Sequence, residues 1–446
     1  MTSLNIPEGL NYTCTQCGRS CRMFHEITVD RVSRERLFSL DYRPLMREGQ
    51  REKSPLVPSP VNPEREMLHL PDGRCVFQAE TGLCNIHSAH GEQAKPQVCQ
   101  DFPFRFVETP AGIFVGMSFA CTAVQENYGA PVESHRGDLE RRQPVSVARL
   151  DSAPTAALTS RHEISWEACL ELDEDLRRIM GCTDRPVGVR LVAQSAYLDL
   201  LEAFLREVRG DRPLMNNAAA KRPGLFAADT TVPDVQALRV LREKYLVAEG
   251  GEPIFRLARK IQGNATLQRA FIGLITAFRQ NLYIKAKKPG RFATALRVAR
   301  HYLLHASRLG RVELEALDRR FDYRDFERVR FSETTPEANE LLTRYFTHVL
   351  FRKDHLLAPN IWLGHRLMLM QYALIRWHAV GLAASAAVDE VDIKVLRGAV
   401  GLVERHYVFH TPFGKLFEDL PVLGMILDAI VRKPVYAASM VISPMP

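Results

Sequence analysis

Apolar residues recur along this chain in two different patterns. From about residue 160 onward they return at three- and four-residue steps. Tyr197, Leu201, Phe204, Leu205 and Val208 form one such set, and Leu267, Phe271, Leu274 and Phe278 another. Leu341, Leu342, Tyr345, Phe346 and Val349 form a third. That spacing gathers each set on one side of a helix. The tripeptides RPG, KPG, TTP and APN separate the stretches and mark helix ends. No alternation of strands with helices appears, and no repeat of fixed period stands out.

The first 130 residues read differently. Short apolar runs are scattered there among Cys, Pro and Gly. Gly112 to Phe119 (GIFVGMSF), following the turn signal TPAG, predicts a strand. Lys53 to Pro63 contains four prolines and predicts an extended loop. The expected fold is therefore mainly α. A small irregular α+β cysteine-cluster metal domain occupies residues 1–130, a polar linker residues 131–160, and an α-helical domain residues 161–446. If the helical part is two domains, the break falls near residues 331–338.

Composition narrows the class. With 446 residues, 46% of them hydrophobic and 25% charged, the chain can bury a sizeable core, which excludes large-scale disorder. The formal net charge of +7 is spread over the whole length and names no partner. The N-terminus lacks a basic segment leading into an apolar one, so no secretory signal is expected and the chain reads as cytoplasmic. The longest apolar run, Ile361 to Ala384, carries His365, Arg366, Gln371, Arg376 and His378. A charge near the centre of a bilayer is expensive, so this run predicts a buried or amphipathic helix and no transmembrane segment. Lys285 to Arg311 holds eight Lys or Arg residues but only two aromatic rings, Phe292 and Tyr302. That argues against a nucleic-acid surface, which needs stacking rings in a basic groove.

Cysteine placement changes the picture most. Of nine cysteines, seven lie at Cys14, Cys17, Cys21, Cys75, Cys84, Cys99 and Cys121, and only Cys169 and Cys182 fall outside that region. In a reducing compartment, clustered cysteines point to metal ligation rather than disulfides. Cys14, Cys17 and Cys21 form a C-x2-C-x3-C group, with Gly18 allowing a tight turn round an ion. Cys75, Cys84 and Cys99 form a second group, with His87 a further candidate ligand and His90 beside it. Asp101 and Pro103 follow Cys99 closely. Cys169 and Cys182 read as ordinary buried thiols. A structural zinc and a four-iron cluster each take four cysteines, so counting leaves zinc and iron–sulfur both open.

Four segments resemble the YkgJ-type cysteine-cluster family, the zinc- or iron-chelating domain family. They are CTQCGRSCR (Cys14–Arg22), DGRCVF with TGLCNIH (Asp72–His87), KPQVCQDFPF (Lys95–Phe104) and GMSFACTAVQENYG (Gly116–Gly129). Within that family the chain is most similar to the flagellin lysine-N-methylase group, where a cluster domain precedes a long helical part. LLTRYFTHVLF (Leu341–Phe351) and KPVYAASMVISP (Lys433–Pro444) are further echoes of it, with Arg344 standing where that group tends to have asparagine. The resemblance implies an iron–sulfur cluster, S-adenosylmethionine as methyl donor, and a protein substrate, flagellin-like or otherwise lysine-bearing.

The residues themselves constrain such chemistry. No Gly-rich dinucleotide-type turn occurs, so a site for S-adenosylmethionine would be of another design. The order C-x2-C-x3-C is the reverse of the radical type, which argues against radical chemistry. Tyr345, Tyr372 and Tyr436 could relay a proton, although aromatics at helical spacing read first as core. Two other functions fit the same residues: a non-catalytic protein whose metal staples the first domain, and a redox or electron-transfer protein.

Overall fold

The structure is a computed structural model. It describes residues 3–24, 26–59, 62–142, 147–150, 155–209, 234–283, 296, 299–300, 303–304, 307–314, 319–409 and 431–441. The fold is mainly α, with small sheets. The chain divides into two units. One comprises residues 1–108 and 112–149, the other residues 109–111 and 150–446.

The first unit is built from short elements. A four-stranded sheet has the order β1 (Leu4–Asn5), β6 (Gly112–Met117), β5 (Phe104–Thr109), β7 (Val147–Arg149). The apolar run after TPAG is thus a strand, as its composition predicts, and it is buried almost throughout. A second sheet has the order β2 (Thr28–Val29), β4 (Glu66–Leu68), β3 (Leu56–Pro58). Strand β3 lies inside the proline-rich stretch expected to be a loop. It can do so because it is an edge strand, where Pro58 need not donate to a further neighbour. Helices α1 (Ser20–Met23), α2 (Arg31–Ser39), α3 (Asn85–His90), α4 (Gln97–Asp101), α5 (Thr122–Gln125) and α6 (Arg136–Arg141) connect the strands. The first unit runs past residue 130: α6 and β7, from the stretch read as a linker, belong to it.

Among the described residues, the second unit is mainly helical, with the strand pairs β8 (Thr155–Ala157) with β9 (Glu163–Ser165) and β10 (Arg311–Leu314) with β11 (Arg319–Asp322). Its helices are α7 (Trp166–Met180), α8 (Val187–Arg209), α9 (Asp234–Arg242), α10 (Glu252–Lys260), α11 (Ala265–Tyr283), α12 (Tyr323–Phe326), α13 (Pro336–Phe351), α14 (Ile361–Ser385), α15 (Ile393–Val403) and α16 (Pro434–Val441). Helix α14 is the long apolar run of the sequence and is buried on nearly every side, as a helix apolar all round must be. Its polar residues are matched from neighbouring helices. Arg366 makes a two-pronged contact with Asp199 at 2.7 and 2.8 Å and stacks on Trp362, while His365 meets Gln194 at 3.0 Å. No helix among the described residues is long and apolar enough to cross a membrane. Residues 331–338 cover the end of the connection after α12 and the first turn of α13, inside this single unit. Most of the basic stretch Lys285–Arg311 lies outside the described residues.

Candidate metal centre

Three cysteine segments distant in sequence are stitched together by backbone contacts. The Cys14–Cys21 loop turns through two residues in the left-handed region, Gln16 at φ 54° and Gly18 at φ 62°. Gly18 packs so closely on the Gly82 carbonyl that a Cβ there would collide with it. Gln78 clamps the two loops: its Nε2 donates to the carbonyls of Gly18 (2.6 Å) and Gly82 (2.9 Å), and its Oε1 accepts from Arg22 Nε at 3.2 Å. The Cys75 amide donates to the Cys21 carbonyl at 3.2 Å, and Gln78 pairs across a β-bridge with Cys84. These bonds hold Cys21, Cys75 and Cys84 on one scaffold.

Cys99 arrives on α4. That helix is fixed to α2 by the Gln97 amide, which donates to Ser33 Oγ at 2.9 Å, while Asp30 caps α2 through the Ser33 amide. Burial pushes the Cys99 thiol well above the usual range, and the charges of Cys21 and Cys84 push it further. Lys95 opposes them and Asp101 adds to them. Cys75 is also raised strongly, first by burial and then by Cys21. The Phe77 amide opposes this, and Cys99 and Cys84 reinforce it. Cys21, Cys75, Cys84 and Cys99 therefore share one electrostatic neighbourhood.

A second neighbourhood holds the other three thiols. Cys121 stands at the N-cap of α5, pushed up to about 11 by burial. The Val124 and Ala123 amides oppose that rise, and Cys17 and Cys14 contribute to it. Buried Tyr12 hydrogen-bonds to Cys14 and feels the charges of both Cys14 and Cys121. Cys14 and Cys17 are exposed, unlike buried Cys75. Among the described residues, no three His, Cys, Asp or Glu side chains converge into a finished coordination shell. Backbone contacts tie the Cys14–Cys21 loop both to the Cys75–Cys84 segment and to the segment after Cys121.

The remaining candidates divide by burial. His87 and His90 are exposed on α3. Asp101 is buried and accepts from Gln97 Nε2 at 2.9 Å. Cys169 is buried on α7 and Cys182 half-buried, so both stand apart from the first unit. The three tyrosines are fully buried in the helical unit: Tyr345 donates to Glu404 at 3.0 Å, Tyr372 to Glu333, and Tyr436 reaches the Arg366 carbonyl at 3.5 Å.

Periodicity gave no warning of one feature. Arg352, Lys353, Asp354 and His355, four consecutive charged or titratable residues, turn inward together after α13, with Lys353 at φ 61°. Arg352 is fully buried between Asp354 and Glu404. Lys353 pairs with Asp173 on α7, and His355 stands 2.9 Å from the same carboxylate. Burial alone would raise Asp173, but the charges of Lys353 and His355 outweigh it and hold the carboxyl down at about 2. RKDH after a helical stretch is ordinary loop composition, so no signal in the sequence exposes this cluster. No family model, no curated protein and no solved structure matches this chain.

Proposed function

We propose that the first unit binds a cysteine-ligated metal centre, an iron–sulfur cluster, through Cys21, Cys75, Cys84 and Cys99. The observation that carries this reading is the shared scaffold of the Cys21, Cys75 and Cys84 segments, with buried Cys75 and Cys99 both raised by burial and further by Cys21 and Cys84. Collecting ionisable thiols in partial burial is unfavourable until a cation compensates them. The donor set fits, since four thiolates satisfy a four-iron cluster, and the Phe77 amide beside Cys75 is the kind of donor that tunes cluster sulfur. Four thiolates also satisfy zinc. The choice of iron–sulfur rests on the family resemblance of residues 14–129.

The same resemblance supports a catalytic role for the whole chain, the transfer of a methyl group from S-adenosylmethionine to lysine side chains of a protein substrate. The charged interior of the helical unit, with Asp173, Lys353, His355, Arg352 and Glu404 all buried, is in keeping with an enzyme more than with a spacer. A second reading has its own support. The first unit is loop-rich and stitched by short contacts, so the metal would supply folding energy as a structural staple.

The deciding measurement is an absorption spectrum with iron, sulfide and zinc analysis on protein purified without oxygen. A brown protein with about four irons and four sulfides supports the cluster, and calorimetry with S-adenosylmethionine then tests the methylase. Colourless protein with stoichiometric zinc would overturn the cluster and favour the staple.

A further inference from the structure

The family resemblance ends at Gly129, yet the first unit continues beyond it. Residues 131–142 (PVESHRGDLERR) have the polar composition of a linker but are anchored by two buried side chains, Val132 and Leu139. One end of this segment grips the root of the Cys14–Cys21 loop. The Val132 amide donates to the Leu10 carbonyl at 2.9 Å, and Pro131 forms a β-bridge with Asn11. His135 Nε2 donates to the Tyr12 carbonyl at 3.0 Å, two residues before Cys14. Arg136 Nη1 donates to the Leu4 carbonyl on β1 at 3.2 Å.

The other end grips the helix that carries Cys99. Arg142 Nη1 donates to the carbonyl of Gln100, the residue directly after Cys99. Its Nε and Nη2 close on one oxygen of Asp138 at 2.8 and 2.6 Å, and Nη2 stands 3.5 Å from Glu92. A guanidinium engaged on so many sides acts as a rigid strut between α6 and α4. Phe104, at the start of β5, lies between the two ends. Arg142 Cζ is 5.4 Å from its ring centroid, His135 meets it edge-on at 6.1 Å, and Tyr12 does so at 5.5 Å. The loop root and α4 are thus referred to the same strand of the sheet.

We propose that residues 131–142 form a clasp that sets the Cys14–Cys21 loop and Cys99 in place for the metal, with Arg142 and His135 as positioning residues. Neither touches a sulfur. Both hold backbone carbonyls close to the cysteines, and so decide where the thiols stand. Groups that orient ligands from behind govern how firmly a metal is kept. The inference rests on the reading of the first unit as a metal domain, and it applies to iron–sulfur and to zinc alike.

The test uses full-length protein purified without oxygen, with iron, sulfide and zinc measured first and release to a chelator then followed by absorbance. Arg142→Ala should release its metal about tenfold faster than wild type, with an altered absorption spectrum of the bound metal. Arg142→Lys keeps the charge but loses the fork, and should fall between the two. Asp138→Asn loosens Arg142 without removing it, so a smaller acceleration is expected there even if Arg142→Ala fails to fold. Arg141→Ala, on the exposed side of α6, should release at the wild-type rate. Loaded Arg142→Lys and Asp138→Asn that release at the wild-type rate would overturn the clasp and leave the metal reading intact. So would faster release that only tracks a lowered urea midpoint, with the spectrum unchanged. Zinc in place of iron overturns the cluster reading alone, and the same rates then decide the clasp. A wild type that holds neither metal overturns both.

Discussion

The two units of this chain both bury ionisable groups, but they balance them in opposite ways. In the helical unit several buried charges meet their opposites: Arg352 with Glu404 and Asp354, Lys353 with Asp173, Arg366 with Asp199. In the first unit, burial raises Cys75 and Cys99 and the charges of Cys21 and Cys84 raise both further, with Lys95 as the opposing charge at Cys99. One arrangement is complete in itself. The other would be balanced by the cation of the proposed metal centre, and this is why the metal reading attaches to the first unit and not to the larger one.

Stripping the metal should break that comparison most visibly. Chelation under reducing conditions should abolish the cooperative unfolding of the first unit, while hydrogen exchange in α14 remains that of the loaded protein. Equal loss of protection in both units would sink the contrast.

Next in size is Glu404→Ala. It leaves fully buried Arg352 with Asp354 alone and removes the nearer of the two acceptors of Tyr345, so urea unfolding of the helical unit should lose about 3–5 kcal/mol. A loss below about 1 kcal/mol would mean that the pair behaves like a surface bridge.

Acid should distinguish the units again. Burial holds His378 down at about 3 and His365 well below its usual value, so both are neutral in the folded chain. Their depressed values make the unfolded chain bind more protons below its own histidine range. The stability they confer is complete above about pH 6.5 and falls as pH drops toward 3, by up to about 1.4 kcal/mol per pH unit for each histidine. Asp173 adds its own loss between about pH 4 and 2. Thermal melts of His378→Gln across this range should show a shallower decline than wild type, and an unchanged slope would refute the assignment.

The smallest effect concerns local structure alone. Asp30→Ala removes the cap of α2, to which α4 and Cys99 are tied through Ser33, and should cost about 1 kcal/mol in the first unit only. Circular dichroism melts would resolve it, and an equal shift in the helical unit's transition would contradict a local role for this cap.

Much of this organisation could be read from the residues. Helical spacing marked α8, α11 and α13, and the polar residues within Ile361–Ala384 correctly signalled a buried helix, because each charge there had to find a partner inside the protein. The cysteine clustering drew attention to the first unit for a similar reason, since thiols so concentrated are rarely packing residues. Less was visible where short elements depend on neighbours. Strand β3 emerged from a proline-rich stretch only because β4 offers it an edge, and residues 132–149 joined the first unit because β7 pairs with β5.

By itself, then, the sequence determined the helical character of the larger part and the separation of seven cysteines from the other two. Both follow from local spacing and composition, which act over a few residues. Tertiary structure alone decided which cysteine segments meet, with Gln78 bridging Gly18 and Gly82 and Arg19 reaching Thr122. It alone turned Arg352 to His355 inward, because their partners Asp173 and Glu404 lie 180 and 52 residues away from Lys353 and Arg352. Contacts over such separations leave no period in a chain, since they depend on which surfaces meet after the elements have formed.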